Sequence, residues 1–205
     1  MKIKFNQVGQ VSRLLLVLAI IVLVAVAIVY LIMKMAEQPA APAPEPDGTA
    51  PQPVYEATLG SIRFVFQGAR DMGSVLKASE ASTQYSSWQK DITTTERFII
   101  VTVGAQNKGK QNVSDRAWDI AEIIDSEGRS FVPENQYNIE PWLPEENFCG
   151  VLLKPEFDPV PCAKMYEVSK ISTGLKIRVV TGKNNDPNNL SSGDTEEAFI
   201  DLIVQ

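Results

Sequence analysis

Arg97 to Ala105 reads RFIIVTVGA, apolar on both faces of an extended chain. Ile99, Val101 and Val103 fall on one side, Phe98 and Ile100 on the other. A strand with that pattern is buried on both faces and belongs at the centre of a sheet. Asn107-Lys108-Gly109 ends it with turn residues. Upstream, Ser61 to Gln67 alternates cleanly, with Ile62, Phe64 and Phe66 on one face. Downstream, Trp118 to Ile124 runs into Asp125-Ser126-Glu127-Gly128, and Arg129 to Val132 returns, which predicts a hairpin. Gly150 to Leu153 and Lys164 to Val168 read as a second pair around a Pro-rich bend. Leu175, Ile177 and Val179 alternate in one further strand, and Ile200, Leu202 and Val204 in the last.

Short antiparallel strands without amphipathic helices between them predict an all-β domain from residue 54 to 205, an immunoglobulin-like antiparallel β-sandwich. A closed barrel has the same strand signals; a parallel α/β sheet does not. Two segments read as irregular. Asp71 to Thr95 is rich in Ser, Thr, Ala and Gln and is expected as a long connection, with a short helical turn at Met72, Val75 and Leu76. Gly182 to Glu197 is dense in Asn, Asp, Ser and Gly.

The stretches RFIIVTVGAQNKGKQNV (Arg97 to Val113), DSEGRSF (Asp125 to Phe131) and LLKPEFDPVPCAKMYEV (Leu152 to Val168) carry a resemblance. Together they resemble the telokin-like, immunoglobulin-like extracellular domains of prokaryotes, a domain family of unknown function. In that pattern an apolar strand ends at Asn (here Asn107), and a second closes on Asp-x-x-Gly (Asp125, Gly128). A Leu-x-Pro segment (Leu153, Pro155) then leads into an apolar-Glu-Val strand (Glu167, Val168). The resemblance spans about Leu59 to Val204. It implies a sandwich behind a signal peptide, lipid anchor or single helix and a low-complexity linker. It carries over no functional residue. The long Asp71 to Thr95 connection and two late cysteines depart from the pattern.

Ahead of the domain, Leu14 to Met33 contains no charged residue over 20 positions. As a helix it is about 30 Å long, the thickness of a bilayer's hydrocarbon core. A cleavable signal peptide has a shorter apolar core, so residues 14–33 are expected to be an uncleaved span through the lipid bilayer. Lys2, Lys4 and Arg13 precede the run with no acid among them, whereas Glu37, Glu45 and Asp47 follow it. The basic flank predicts residues 1–13 in the cytoplasm and the C-terminal domain outside it. Residues 34–53 form a Pro/Ala-rich linker whose extended backbone reaches roughly 50 Å.

Of the chain's 19 basic and 25 acidic residues, four and three precede Val54, leaving the domain 15 to 22, a net of −7. That balance excludes nucleic acid as an expected partner. The chain has no His, which removes the commonest general base and the Ser-His-Asp and Cys-His arrangements. No GxxxxGK or GxGxxG phosphate loop occurs. The domain is therefore expected to be non-enzymatic, with no catalytic residue and no cofactor.

Cys149 and Cys162 are the only cysteines. Outside the cytoplasm such a pair is expected to form a disulfide. Twelve intervening residues include Pro155, Pro159 and Pro161, so the gain should fall below the ~3 kcal/mol of a flexible loop. The two flanking runs are expected to pair as hairpin arms and bring the cysteines together. The acidic turn at Asp125 and Glu127 and the Asn184 to Asn189 loop hold oxygen ligands suited to calcium, without EF-hand spacing. The same residue types also simply build turns. Glu145, Glu146, Glu156 and Asp158 show no spacing that fixes a glycosidase pair. Of the three tryptophans, Trp118 is expected in the core. Trp142, between Pro141 and Pro144, is the best exposed candidate and is paired with Tyr137 as a binding surface.

The expected function is a membrane-anchored interaction or accessory module of the cell envelope, with an envelope protein or glycan as partner. The alternative is a small-ligand or carbohydrate-binding domain that uses residues 137–148. Loops carry recognition on such scaffolds.

Overall fold

The computed structural model describes residues 52–82 and 89–205. The apolar run 14–33, nearly all of the Pro/Ala-rich linker and Trp88 lie outside the described residues. Among the described residues, no helix is long and apolar enough to cross a membrane.

Among the described residues eight strands form: β1 (Glu56–Leu59), β2 (Ile62–Leu76), β3 (Ile92–Asn107), β4 (Trp118–Ile124), β5 (Ser130–Phe131), β6 (Val160–Val168), β7 (Lys176–Gly182) and β8 (Thr195–Asp201). They make two four-stranded antiparallel sheets, in the orders β1-β2-β3-β6 and β5-β4-β7-β8. The domain is all-β and sandwich-like, as the alternation predicts. Between the sheets, Ile62, Phe64, Ile99, Val101, Val103 and Tyr166 share one core with Trp118, Ile120, Ile123, Ile177, Val179 and Ile200. Phe64 meets Trp118 edge-on, ring centroids 6.2 Å apart. Burying each such side chain contributes about 1.5–3 kcal/mol.

β3 is buried on both faces, as expected. Its outer residues Phe98 and Ile100 enter a second cluster with Leu76, Ala81, Ile139, Trp142, Ala163 and Met165. This cluster explains two departures from the sequence reading. Asp71 to Leu76 and Ile92 to Thr95 are not a connection: β2 and β3 continue through them, Leu76 pairing with Ile92. The expected helical turn at Met72, Val75 and Leu76 is strand. Bulges beside Gly68 and Gly73 curve β2 so that Leu76 is fully buried. Tertiary burial outweighs the polar composition of the segment.

Gly150 to Leu153 is not a strand, so the expected hairpin with Lys164 to Val168 does not form. β6 pairs instead with β3, Cys162 opposite Val103. Residues 132–159 form a strap that crosses the open edge of β6. Its backbone and side chains pair with the outward-facing groups of that strand. Glu134 N–H donates to Met165 O and Phe148 N–H to Pro161 O. Asn147 takes both ends of the Ala163 peptide, accepting from its N–H at 2.8 Å and donating to its C=O at 2.9 Å. An edge covered in this way cannot template further strands. Two short helices also form among the described residues: α1 (Gln136–Ile139) in the strap, and α2 (Pro187–Ser192) in the Gly182 to Glu197 segment expected as irregular.

Candidate functional site

Most polar residues singled out from the sequence hold the fold. Asn107 is buried; its amide donates to Gln111 O and Leu153 O and accepts from Gly109 N–H. Asp125 is buried in its turn, where Gly128 adopts φ +79°. Its carboxylate accepts from Glu127 N–H, Arg129 N–H, Arg129 Nε at 2.6 Å and Ser172 Oγ at 2.7 Å. Burial alone would raise this carboxyl. The hydrogen bonds from Ser172, Arg129 and Glu127 overcome that and hold it well below the usual carboxylate range. With four donors on two oxygens, Asp125 serves the turn. The Asn-rich loop is similarly engaged. Asn185 donates to Ser61 Oγ, Asp186 caps α2, and Asn189 donates to Lys183 O.

Cys149 and Cys162 are disulfide-bonded, with Cα atoms 4.4 Å apart. The bond ties the strap to β6 and does not close a hairpin. Asp119 lies close to both sulfurs. Its carboxylate takes Lys164 Nζ at 2.6 Å, and the sulfurs are bonded to each other, so the trio is committed to structure.

Trp118 is core, its indole N–H donating to Val151 O. Trp142 is a correction. It is only 5% exposed, packed in the outer cluster, and its indole N–H donates to Lys77 O. It cannot present a stacking face. Tyr137, by contrast, is 90% exposed. Asn135 caps α1 by accepting from Tyr137 N–H, while Ile139 on the same helix is buried. The two aromatic residues are separated by one helical turn and serve opposite ends: one anchors the strap, the other projects from it.

The acids weighed against glycoside chemistry, Glu145, Glu146, Glu156 and Asp158, all belong to the strap. Glu156 pairs with Lys108. Asp158 lines a dimple beside Phe157, and Glu145 lies on the strap.

The strap and the β2–β3 connection meet on the outer face of the first sheet, where Ser82 N–H donates to Pro141 O at 2.7 Å. Two depressions adjoin this junction, and a third lies apart beside Tyr137. The largest, about 900 Å³, is floored by Gly68, Arg70, Ile100 and Thr102 and walled by Pro141 to Glu145. A second, about 470 Å³, shares Ser82, Leu143, Pro144 and Glu145 with it and continues to Gln136 and Glu140. A third, about 430 Å³, lies beside Tyr137 and includes Ile92, Phe98, Glu134 and Glu167. Burial, and then the Glu167 charge, raise the Glu134 carboxyl above its ordinary range. Residues 137–148 are singled out from the sequence and line these depressions; the facing residues Glu80 to Ser82 are not, because they carry no periodic signal.

The chain matches no protein-family model and no curated protein. Among solved structures it is similar to the yjhA protein from Bacillus subtilis, at 14% identity over 72% of this chain and 96% of that one, with a TM-score of 0.44. It is also similar to a functionally unknown protein from Listeria monocytogenes EGD-e, at 10% identity over 77% of this chain and 87% of that one, with a TM-score of 0.45.

Proposed function

We propose that this chain is a non-enzymatic, membrane-anchored interaction module of the cell envelope, and that its sandwich is of the immunoglobulin-like type it resembles. Residues 14–33 span the bilayer, the N-terminus lies in the cytoplasm, and the domain is displayed outside on the 34–53 linker. The observation that carries this reading is the pitted surface around residues 136–147. An elaborated, irregular surface lies over one sheet of a regular scaffold, and Tyr137, the most exposed aromatic ring among the described residues, stands beside it. The Cys149–Cys162 bond supports an oxidising compartment. The titratable groups with perturbed environments in the turns and sheets, Asp125, Arg129, Tyr166, Arg178 and Asp201, are each engaged in bonds that hold the fold.

A photo-crosslinking residue at Tyr137 of the full-length protein in intact membranes tests it. Ile171, 72% exposed and distant in sequence, is the control. Adducts at position 137 and not at 171 are expected. Equal adducts at both, or none at 137, would overturn the assignment of this face. The topology is tested separately: external protease on intact cells should release the domain from about Val54, and a protected domain would contradict it.

A glycan-binding alternative keeps one supporting observation, the projecting Tyr137 ring beside the amides of Asn138 and Gln89. A Tyr137→Ala variant that loses retention on immobilised cell-wall polysaccharide would favour it.

A further inference from the structure

Where the end of β3 meets the strap lies a small apolar dimple of about 140 Å³. It shares no lining residue with the depressions around residues 136–147. Ala105 and Leu153, both buried, floor it; Leu152 and Phe157, 43% and 59% exposed, border it. An apolar cavity of about 150 Å³ holds one benzene ring, so the dimple has the size of a phenyl side chain. Phe157 is held out beside it by a fixed turn. Glu156 adopts φ +58°, a left-handed conformation that a side chain with a Cβ disfavours. Its N–H donates to Asn107 O at 2.9 Å, and Gln106 Nε2 donates to Phe157 O at 2.9 Å. A ring on a turn already fixed gives up little freedom when a partner covers it. Lys154 and Asp158 border the same dimple, and Lys154 Nζ stands 5.3 Å from the centre of the Phe157 ring. Neighbouring Glu156 is paired with Lys108, whereas Lys154 and Asp158 have no ion-pair partner among the described residues.

Leu152 to Asp158 thus presents a knob and a hole of matching size together with a cation and an anion. An isologous two-fold contact needs that combination, because residue i then meets j and j meets i. We propose that a second copy of this chain docks here: Phe157 of each copy enters the dimple of the other, and Lys154 of each meets Asp158 of the other. One ring and one ion pair from each copy make a contact smaller than a standing dimer in solution requires. The proposal therefore rests on the membrane-anchored reading, in which copies held in one bilayer meet at a raised effective concentration.

The test places a photo-crosslinking residue at Leu152 of the full-length protein in intact membranes, with exposed Phe199 on β8 as the control position. Position 152 should give an adduct of twice the chain's mass that maps to Leu152 to Asp158 of the second copy, and position 199 should not. Phe157→Ala should remove most of it. Lys154→Glu or Asp158→Lys alone acts at both symmetric contacts and should lower the yield roughly tenfold. The double variant Lys154→Glu, Asp158→Lys should restore it. These side chains are all exposed, so the variants keep the core intact. No homodimer adduct at 152, equal adducts at 152 and 199, a yield indifferent to both charge reversals, or a double variant as low as the singles would overturn the proposal. Membrane fractionation of the same cells keeps the two readings apart. Chain in the membrane without the adduct sinks the dimer alone; chain in the soluble fraction sinks the anchored reading beneath it.

Discussion

On the inner face of β3, Ile99, Val101 and Val103 meet strands of the second sheet. On the outer face, Phe98 and Ile100 meet Ala81, Ile139 and Trp142, which come from two connections. The inner layer is strand against strand, fully buried and periodic. The outer layer is strand against strap, and its surface is pitted and acidic. The contrast separates what makes the domain fold from what makes this domain particular. A sheet whose outer face was simply solvated would be polar there. Here β3 carries apolar residues on that face because the strap covers it.

Breaking the inner layer should have the largest effect. Val101→Asp would place an unpaired charge where exposure is zero, and the domain should fail to fold, seen as loss of the far-UV circular dichroism of the sheets. A folded Val101→Asp protein would mean that the central strand is misplaced.

The tie between the layers should matter less. Replacing both Cys149 and Cys162 with Ala removes the covalent link between strap and β6. The melting temperature should fall by the equivalent of less than about 3 kcal/mol, with the fold kept. Asn147 and Phe148 still hold the strap to β6 by hydrogen bonds. Non-reducing mass spectrometry of the native protein should show the linkage within one chain. Two free thiols would contradict it.

Two carboxylates sharpen the contrast through opposite pH dependence. Asp125 is held below its ordinary value, so its contribution is complete above about pH 4 and is lost as pH falls below that range. Asp125→Asn should flatten the acid limb of the stability curve and lower stability at neutral pH. Glu134 is raised, so its contribution is complete below the ordinary range and is lost as pH rises through it. Glu134→Gln should therefore leave neutral-pH stability equal or slightly higher, the smallest effect. A Glu134→Gln variant as damaging as Asp125→Asn would place Glu134 in the fold-holding set.

The inner layer was legible in the sequence because alternation at period two is a direct consequence of one buried face. Ile62 and Phe64, Ile99 to Val103, and Ile177 and Val179 all fell where expected. Asp125 with Gly128 announced its turn through residue chemistry alone. The outer layer was largely illegible. Trp142 sits between prolines in a segment without period, and only its contacts with Lys77, Ile100 and Met165 in space decide that it is buried. Asp71 to Leu76 reads as a polar connection because its composition hides its pairing with Ile92 to Ile99 of β3, which only the fold supplies. Cys149 and Cys162 were paired correctly on compartment and count, but the hairpin invoked to join them does not exist. The strap does that work from the edge of β6.

The most direct test of the separation between the inter-sheet core and the strap-covered outer layer is hydrogen exchange on Trp142→Ala in the full-length protein. Removing the indole takes away the side chain that joins strap, β2–β3 connection and sheet. Exchange should rise in Lys77 to Ser82 and Gln136 to Asn147, while the amides of β4, β7 and β8 stay as protected as before. A rise in exchange spread evenly through β4, β7 and β8 would show one indivisible cooperative unit and contradict it.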